Sequence, residues 1–446
     1  MYPSRCKEPA GEHARSVAVG ICRRLSRAGH IAYLVGGGVR DLLLGEQPFD
    51  FDVATSALPE QVESLFPRTV SVGKAFGVVV VLDGGLEVEV ATFRRDRDYS
   101  DGRHPTEVSF CDAQQDAERR DLTINALFMD PETGDVLDFV GGLEDLCARR
   151  VRTVGDPFQR FEEDHLRTLR AVRFAARLNF RIDPQTQDAI RAFVPRIRGI
   201  SAERILAELQ KMLTAPGAGQ AMRVLFDLGL LEAVLPVCTP SLAMRIPGWY
   251  DEGPLIDLAS SSLERGRFTS AQLGFATLLQ FLGWTDHPGH DVNPEAWFRQ
   301  SAEQAETVMT GLSASKSLRR GVTDVLLILA DLSTAVELPL AQRKRLVLRP
   351  GFDDALDLYR RNALVRGAHE LSRYVAYANL ARDVRRQPPD YYRVITGADL
   401  VSMGFRPGPR FKRILEDIEN RFLAGELSTR EEAVEYIRNQ GATWND

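Results

Sequence analysis

The segment that decides the fold is IAYLVGGGVRDLLLGEQPFDFDVAT, residues 31–55. Its first part, residues 31–37, is a short apolar run stopped by glycines, which predicts a buried strand followed by a turn. Residues 39–45 then resemble a short helix that is closed by a glycine. Residues 49–55 alternate apolar and polar side chains, which predicts a second strand. The order of strand, glycine turn, helix and strand indicates the start of a strand-rich region.

The turn itself has a composition that suits anions. Gly36, Gly37 and Gly38 allow backbone N–H groups to approach a phosphate closely. They do not form a dinucleotide fingerprint, because Asp41 occupies the place of its third glycine, and they lack the Gly-Lys-Ser/Thr of a P-loop. Arg40 stands just beyond the turn, where a guanidinium could fork onto phosphate. A triple glycine also fits an ordinary tight turn, so the motif alone does not establish a site.

Asp50 and Asp52 are the first candidates for catalysis. Residues i and i+2 of a strand point to the same face, so these carboxylates are predicted to lie side by side. Adjacent carboxylates repel unless a cation lies between them, and hard oxygen ligands suit Mg²⁺. Phe49, Phe51 and Val53 are predicted to occupy the opposite face. The competing interpretation is an exposed strand edge with two solvated aspartates.

A third carboxylate is expected from a neighbouring strand. Residues 78–93 alternate in the same way and contain a Gly-Gly pair at 84–85, which predicts a hairpin. Glu87 and Glu89 share one face of its second strand. We prefer Glu89 as the third catalytic group, although spacing alone does not separate it from Glu87.

Composition bounds the rest of the chain. Its 446 residues exceed the length that one hydrophobic core usually organises, so two to four domains are expected. Apolar residues make up 44% and charged residues 26%, which is typical of a soluble globular protein. No segment approaches the roughly 18 apolar residues of a membrane span, and the amino terminus has no apolar secretory core. The five cysteines are scattered without a CxxC pair, which fits a reducing cytoplasm.

The distribution of charge is more informative than the net charge of −6, which neither favours nor excludes nucleic acid as a partner. Arginines recur every few residues between Arg149 and Lys211. They predict a basic face that would attract phosphate. A solvated helix surface balanced by neighbouring acids explains the same pattern equally well.

Several motifs resemble the nucleotidyltransferase superfamily, in its branch of class II tRNA nucleotidyltransferases and bacterial poly(A) polymerases. The resemblance is strong over about residues 30–235 and weaker towards the carboxyl end. It is far more specific than any single motif, because the motifs follow one another in the family's order. They are the glycine turn with Asp-x-Asp, EVATFR (89–94), RRDLTINAL (119–127), DFVGGLEDL (138–146), FEEDHLRTLRAVRFAARL (161–178) and SAERILAEL (201–209).

The resemblance implies an α+β fold. A mixed sheet with helices, similar to the polymerase beta-like nucleotidyltransferases, would form the amino-terminal catalytic domain, and the carboxyl-terminal half would be all helical. The helical periodicity beyond Pro157 agrees with this division. The expected domains are catalytic (1–150), nucleotide-selecting and RNA-binding (151–238), a helical body with a degenerate HD-like region (239–384) and a helical tail that contacts tRNA (385–446).

Residues 161–178 resemble the helix with which this family selects its nucleotide. Asp164, Arg167, Arg170 and Arg173 are three residues apart and would form a stripe along one helix face. Cytosine and adenine present an amino donor beside a ring acceptor, which a carboxylate and an arginine satisfy together, whereas uracil and guanine present a carbonyl to that carboxylate. The resemblance implies that Asp164 and Arg167 choose the base, and that Arg170 and Arg173 face the triphosphate or RNA. Alone, the stripe also fits an ordinary salt-bridged helix surface.

Three further segments bear on nucleotide contact, on the branch of the family and on a flexible loop. Arg120, in the RRDLTINAL motif, is a candidate for nucleotide contact. Bacterial poly(A) polymerases carry an arginine-rich run where this chain has KAFG (74–77), which favours the tRNA-specific side. Residues 94–105 are polar and contain glycine, and they resemble the flexible loop that family members use between the cytidine and adenosine steps.

The carboxyl-terminal half contains one departure from its relatives. Residues 270–370 resemble an HD domain, but Gln280-Phe281 stands where a metal-dependent HD phosphohydrolase needs His-Asp. Neither side chain is a strong metal ligand, so we expect a degenerate scaffold without hydrolase activity. His290 and Asp291 are interpreted as a surface pair.

The tail resembles the family's RNA-contacting end segment. Residues 407–409, Pro-Gly-Pro, predict a turn just before a helix. Backbone donors and nearby cations suit phosphate, although a capped helix with a basic first turn explains the segment equally well. The cations are Arg406, Arg410, Lys412 and Arg413.

Together the motifs imply a magnesium-dependent enzyme that adds C and A from CTP and ATP to the 3′ end of tRNA without a template. Asp50 and Asp52 would hold the metal, Glu89 would help to activate the terminal hydroxyl, and Gly36, Gly37 and Arg40 would cradle the triphosphate. A CC-only enzyme, an A-only enzyme and a poly(A) polymerase remain alternatives. A non-catalytic RNA-binding protein and an HD phosphohydrolase are less favoured, because the Asp-x-Asp pair is intact and the His-Asp pair is not.

Overall fold

The computed structural model describes residues 10–70, 77–99, 105–246, 250–266, 270–283, 293–334, 338–366, 371–386 and 394–440. Lys74, which belongs to the KAFG segment, and the pair of His290 and Asp291 carry two sequence-based interpretations and lie outside these ranges. The chain divides into two compact units, which consist of Met1–Glu208 with Val224–Val234 and of Leu209–Arg223 with Leu235–Asp446. The boundaries of the four expected domains stay a prediction.

The first unit contains the mixed sheet that the sequence predicts. Its strands, together with two short strand pairs, are β1 (Ala32–Val35), β2 (Asp52–Thr55), β3 (Thr69–Val70), β4 (Val78–Asp83), β5 (Leu86–Thr92), β6 (Arg94–Tyr99), β7 (Pro105–Phe110), β8 (Leu127–Met129), β9 (Val136–Asp138), β10 (Arg150–Val151) and β11 (Arg181–Ile182). The sheet has the order β3-β4-β5-β2-β1-β8-β9, while β6 pairs with β7 and β10 with β11. Only the β2–β5 pair within this sheet is parallel among the described pairings.

The hairpin of β4 and β5 confirms the prediction made from alternation and the Gly-Gly pair. Val79 pairs with Val90 and Val81 with Val88, and these valines are buried. The glycines of the turn, residues 84–85, have φ values of +55° and +79°, which favour glycine.

Two predictions about strand boundaries were wrong. β2 begins at Asp52 rather than at residue 49, so Phe49 and Phe51 precede the strand, and Phe49 is 86% exposed whereas Phe51 is buried. Residues before β2 pack against the glycine turn, so they do not pair with a neighbouring strand. The expected loop at 94–105 begins with a strand, β6 (Arg94–Tyr99), which pairs antiparallel with β7, and its residues 100–104 lie outside the described ranges.

The helices of this part of the chain precede, connect and follow its strands. They are α1 (Ala10–Arg27), α2 (Gly37–Leu43), α3 (Pro59–Leu65), α4 (Ala113–Glu118), α5 (Gly142–Cys147), α6 (Pro157–Glu163), α7 (Leu166–Leu178) and α8 (Pro184–Phe193), followed by α9 (Ala202–Leu213), α10 (Ala218–Asp227) and α11 (Leu230–Val234) along the chain. Side-chain caps define where some of them begin. Asp156 accepts the N–H of Phe158 at 2.7 Å to start α6, and Asp183 accepts the N–H of Gln185 at 3.1 Å to start α8.

The described part of the second unit is helical. It contains α12 (Thr239–Ala243), α13 (Leu255–Glu264), α14 (Ala271–Leu279), α15 (Pro294–Gly311), α16 (Lys316–Thr334), α17 (Leu340–Val347), α18 (Phe352–Arg366), α19 (Leu371–Arg385), α20 (Gly397–Ser402), α21 (Pro409–Ala424) and α22 (Arg430–Asn439). The α+β fold class with a helical carboxyl-terminal half is therefore confirmed. Within the described ranges no helix has the length and apolar character to cross a membrane.

Gln280, at the position of the missing His-Asp pair, is part of the core. It is fully buried, and its Oε1 accepts a hydrogen bond from Asn362 Nδ2 at 2.7 Å while its Nε2 donates to the Thr277 carbonyl at 2.9 Å. Asn362 in turn accepts from Ser262 Oγ at 2.9 Å. A buried amide needs such partners, so Gln280 belongs to a structural hydrogen-bond network, and the resemblance of this region to an HD domain stays a prediction.

The tail forms the predicted helix. α21 begins at Pro409, directly after the Pro-Gly turn. The basic side chains around its first turn are exposed, and they are Arg406, Arg410, Lys412 and Arg413. Their contact with tRNA stays a prediction.

Candidate active site

Parallel pairing of β2 with β5 brings the predicted carboxylates together. The register pairs Val53 with Val90, so Asp52 and Glu89, one residue before each valine, are neighbours across the two strands. Burial raises the pKa of Asp52 to about 6, and the negative charges of Glu89 and then Asp50 raise it in the same direction. Three carboxylates thus lie close enough to influence one another.

The structure also distinguishes Glu89 from Glu87, which spacing did not. Both side chains are exposed on the same face of β5. Glu89 is level with Asp52 and its negative charge raises the pKa of Asp52, whereas Glu87 lies two residues earlier along β5. Glu89 is therefore the better placed third carboxylate, and its catalytic role stays a prediction.

The glycine turn lies directly against these carboxylates. Gly36 has a φ of +74°, a conformation that favours glycine, and a Cβ there would lie 3.7 Å from both Asp52 Oδ2 and Arg120 Nη1. A Cβ at Gly38 would lie only 2.7 Å from Cδ1 of Phe51. The close approach of the turn to β2 therefore requires glycine, and it brings the Arg120 guanidinium to the carboxylate side.

Arg120 is held in this position by a carboxylate that the sequence analysis did not single out. Asp116 is 1% exposed, and its Oδ2 accepts from Nε and Nη2 of Arg120 at 3.2 and 3.0 Å. Arg120 Nη1 donates to the Asn125 carbonyl at 3.3 Å. The positive charge of Arg120 lowers the pKa of Asp52, against the effects of burial and of the neighbouring carboxylates. The predicted nucleotide contact of Arg120 is thus compatible with its place.

Arg40 is buried and bound by protein groups. It is 1% exposed, its Nη1 donates to Asn125 Oδ1 at 2.5 Å, and its Nε donates to Asp41 Oδ1 at 2.8 Å. The guanidinium also lies over the ring of Phe174, 5.1 Å from the centroid. A group this deeply buried is bound by protein side chains on several sides, and its expected contact with the triphosphate stays a prediction.

Asp164 lies in the turn between α6 and α7 and not on the helix face that the spacing predicted. Its Oδ1 accepts the N–H of Leu166 at 3.1 Å, and its Oδ2 accepts from Arg204 Nη2 at 2.7 Å. A carboxylate offers about four acceptor positions, so these two contacts orient the group and leave acceptor capacity. The turn therefore presents a fixed acceptor.

The arginines that follow Asp164 are each paired with a carboxylate. Arg167, predicted to act with Asp164, donates from Nη1 to Glu163 Oε2 at 2.5 Å. Arg170 and Arg173 were expected to face the triphosphate or RNA, but the structure shows them bound to protein acids. Arg170 Nη2 lies 2.6 Å from Asp121 Oδ2, and Arg173 Nε lies 2.7 Å from Glu208 Oε2.

Three positioning residues were missed by the sequence analysis: Asp116, Glu163 and Arg204. Asp116 with Arg120, and Glu163 with Arg167, are acid–arginine pairs at i, i+4, a spacing that could have indicated them. Arg204 is remote from Asp164 in the chain, so no local pattern predicts that ion pair.

The acidic cluster of Asp50, Asp52 and Glu89 has the chemistry of a divalent-cation site. Burial and the like charges of its neighbours raise the pKa of Asp52. A bound cation would stabilise the buried carboxylate and offset the repulsion between the like charges. Among the described residues, no group of three or more His, Cys, Asp or Glu side chains is already arranged to hold a metal ion. Mg²⁺ is commonly held by one or two carboxylates plus substrate phosphates, so the residues fit a cation that shares its ligands with a bound triphosphate.

The raised pKa of Asp52 predicts a pH-dependent stability in the absence of divalent cations. Between its ordinary value of 3.8 and about 6, the folded chain binds more protons than the unfolded chain, so the free energy of unfolding falls as pH rises through this window. The expected loss is about 3 kcal/mol. Asp52→Asn should remove it, and the variant should melt at a higher temperature than the wild type at pH 8 in EDTA. Equal melting temperatures at pH 8 would contradict this assignment.

Comparison with known families gives two matches. The model described as "Poly A polymerase head domain" matches residues 32–152, which contain the sheet and the carboxylates. The model described as "Probable RNA and SrmB- binding site of polymerase A" matches residues 179–242.

Individual proteins are similar over longer stretches. The CCA-adding enzyme of Levilactobacillus brevis is 34% identical over 417 residues, which cover 93% of this chain and 95% of that one. The CCA-adding enzyme of Geobacillus thermodenitrificans is 48% identical over 214 residues, which cover 48% of this chain and 53% of that one. The crystal structure of the Bacillus stearothermophilus CCA-adding enzyme in complex with CTP aligns with a TM-score of 0.73 at 29% identity, and covers 98% of this chain and 100% of that one.

Proposed function

The chain belongs to the family of CCA-adding enzymes, and we propose that it synthesises or repairs the 3′ CCA end of tRNA from CTP and ATP. The observation that carries the proposal is the parallel β2–β5 pair, which brings Asp52 beside Glu89 and next to the glycine turn. These substrates make the cytoplasm the expected place of action.

The carboxylates would carry out nucleotidyl transfer. Asp50 and Asp52 are the residues that would hold the divalent cation, which we propose is Mg²⁺, and when bound it would neutralise charge on the triphosphate. Glu89 would accept the proton of the tRNA 3′ hydroxyl as the hydroxyl oxygen bonds to the α-phosphorus. The bond between the α-phosphorus and the oxygen that bridges it to the β-phosphate breaks, and pyrophosphate leaves with that oxygen. Arg120, which is held by Asp116, would stabilise the negative charge of the nucleotide.

Base choice would rest on Asp164 and Arg167. The carboxylate of Asp164 would accept from the amino group of cytosine or adenine, and Arg167 would donate to the adjacent ring nitrogen. Arg204 and Glu163 support these roles, because each holds one member of the pair through a charged hydrogen bond. Uracil and guanine would place a carbonyl against Asp164 and leave buried polar groups unpaired.

The two glutamates of β5 provide a matched pair of variants. Glu89→Gln keeps the shape of the side chain but removes the charge beside Asp52, so we expect kcat for C addition to fall by about 10²-fold, the range of general-base contributions. Glu87→Gln, on the same face of the same strand, should leave kcat within about threefold of wild type. Single-turnover addition of C to tRNA measures both. Equal losses in the two variants would contradict the role of Glu89.

The function is tested by extending tRNA that ends at its discriminator base. With CTP and ATP we expect three added nucleotides, and with CTP alone we expect two. A product that stops at two nucleotides with both substrates would indicate a CC-only enzyme, extension only of tRNA ending in CC would indicate an A-only enzyme, and a long adenosine tail would indicate a poly(A) polymerase. Failure to release pyrophosphate from CTP in the presence of tRNA would overturn the proposal.

A further inference from the structure

A continuous line of polar contacts leads from helix α7 to helix α2 within the first unit. Arg177, in the last turn of α7, donates from Nη2 to Asp41 Oδ2 at 3.0 Å. Asp41 lies in α2, just beyond the glycine turn, and its Oδ1 accepts from Arg40 Nε at 2.8 Å. Arg40 Nη1 continues the line to Asn125 Oδ1 at 2.5 Å. The buried Arg40 therefore has hydrogen-bond partners on both sides, Asp41 and Asn125.

The same line returns to the other end of α7. Asn125 Nδ2 donates to Asp121 Oδ1 at 3.3 Å, and Arg170 Nε donates to Asp121 Oδ2 at 2.7 Å. Burial would raise the pKa of Asp121, but the charge and hydrogen bond of Arg170 outweigh it and hold that pKa below its usual range. Arg170 lies one helical turn beyond Arg167. The network therefore holds α7 both near its base-selecting end and at its far end.

The ring of Phe174 lies in the middle of this network. The guanidinium carbons of Arg173, Arg40 and Arg170 are 4.2, 5.1 and 5.7 Å from its centroid. A cation near an aromatic ring at such distances is attracted by the ring quadrupole. Arg170, Phe174 and Arg177 follow at i, i+4 and i+7, so one face of α7 carries the contacts.

We propose that Asp41, Phe174 and Arg177 are positioning residues, which hold the base-selecting turn before α7 in a fixed place relative to the catalytic carboxylates. The proposal rests on the proposed function. A buried charged network is costly unless all its members are paired, so it accepts few alternative geometries. Displacement of reacting groups by about 1 Å costs roughly 10²-fold in rate. The connection from α2 to α7 supplies the rigidity that this alignment requires.

The test compares Arg177→Gln, Arg177→Lys and Asp41→Asn in the full chain, with C addition to tRNA and competing UTP addition as readouts. For Arg177→Gln we expect kcat with CTP to fall about tenfold, KM for CTP to change less than about threefold, and the preference for CTP over UTP to narrow about tenfold. Arg177→Lys should restore most of both losses. The double variant Asp41→Asn, Arg177→Gln should be less impaired than the product of the single effects predicts.

Arg23→Gln on α1 is the control, because its ion pair with Glu132, at 2.6 Å, is exposed and lies outside the network. It should keep wild-type rate and selectivity. The inference is overturned if Arg177→Gln matches the control, or if CTP and UTP addition fall equally, in step with a lowered melting temperature and without rescue by lysine. A wild-type chain that adds no C or A to tRNA would instead overturn the proposed function and this inference with it.

Discussion

Replacing Asp52 by asparagine should lower nucleotide addition by on the order of 10³-fold or more. The asparagine keeps the size of the side chain but removes the charge with which Asp52 would hold a divalent cation, and such electrostatic stabilisation contributes several kcal/mol to the transition state. Asp50→Ala should act in the same direction. Extension of tRNA with CTP at saturating Mg²⁺, followed on a sequencing gel, measures the loss.

Unfolding would not explain a loss of activity in Asp52→Asn, because we expect this variant to be less active but more stable than the wild type. The raised pKa of Asp52 means that its charge destabilises the cation-free fold at neutral pH, so the inactive Asp52→Asn variant should be the more stable protein. Asp83→Asn, on an exposed position at the end of β4 in the same sheet, serves as a control and should retain wild-type activity. Wild-type rates for Asp52→Asn would refute the assignment of the catalytic carboxylates.

Much of the sheet follows from local pattern. The β4–β5 hairpin was predictable because alternation and the Gly-Gly pair agree, and each feature acts over a few residues. The start of β2 was not, because residues before Asp52 are drawn into contact with Gly38 and leave Phe49 exposed. The β6–β7 pair was not predicted, because its first strand is polar and lacks apolar alternation. Backbone hydrogen bonds, which hold the two strands together, leave no pattern in the sequence.

The site divides in the same way. Asp50 and Asp52 could be selected from their spacing on a predicted strand, although only Asp52 lies in β2 and Asp50 precedes it. The burial of Arg40 could not be foreseen, since it depends on Phe174, which only the tertiary structure brings beside it. The partner of Asp164 was hidden for the same reason, because Arg204 belongs to a different helix. Sequence spacing therefore indicates groups that are close in the chain, but it does not indicate the residues remote in the chain that position them.

Replacing Asp164 by alanine should relax base choice more than it slows chemistry. The variant loses the acceptor that would pair with the amino group of C or A and repel the carbonyl of U or G. Sites built on hydrogen bonds reject mismatched groups by roughly 10⁴–10⁵-fold, so loss of one of the two selecting groups should reduce discrimination by on the order of 10²-fold. The ratio of kcat/KM for CTP and UTP, measured on tRNA ending at the discriminator base, gives this value directly.

Glu162→Ala is the matched control for this variant, because Glu162 precedes Asp164 by two residues and also forms an ion pair with an arginine. That pair, with Arg196 at 3.2 Å, is exposed on both sides, so its removal should change neither rate nor selectivity. Arg204→Gln should resemble a weaker Asp164→Ala, since it removes the group that orients the Asp164 carboxylate. If Asp164→Ala slows CTP and UTP addition by the same factor, the carboxylate supports the turn and does not choose the base. If protein side chains act as the template, the preference for CTP over UTP should narrow in Asp164→Ala and in Arg204→Gln. The same preference should persist in Glu162→Ala.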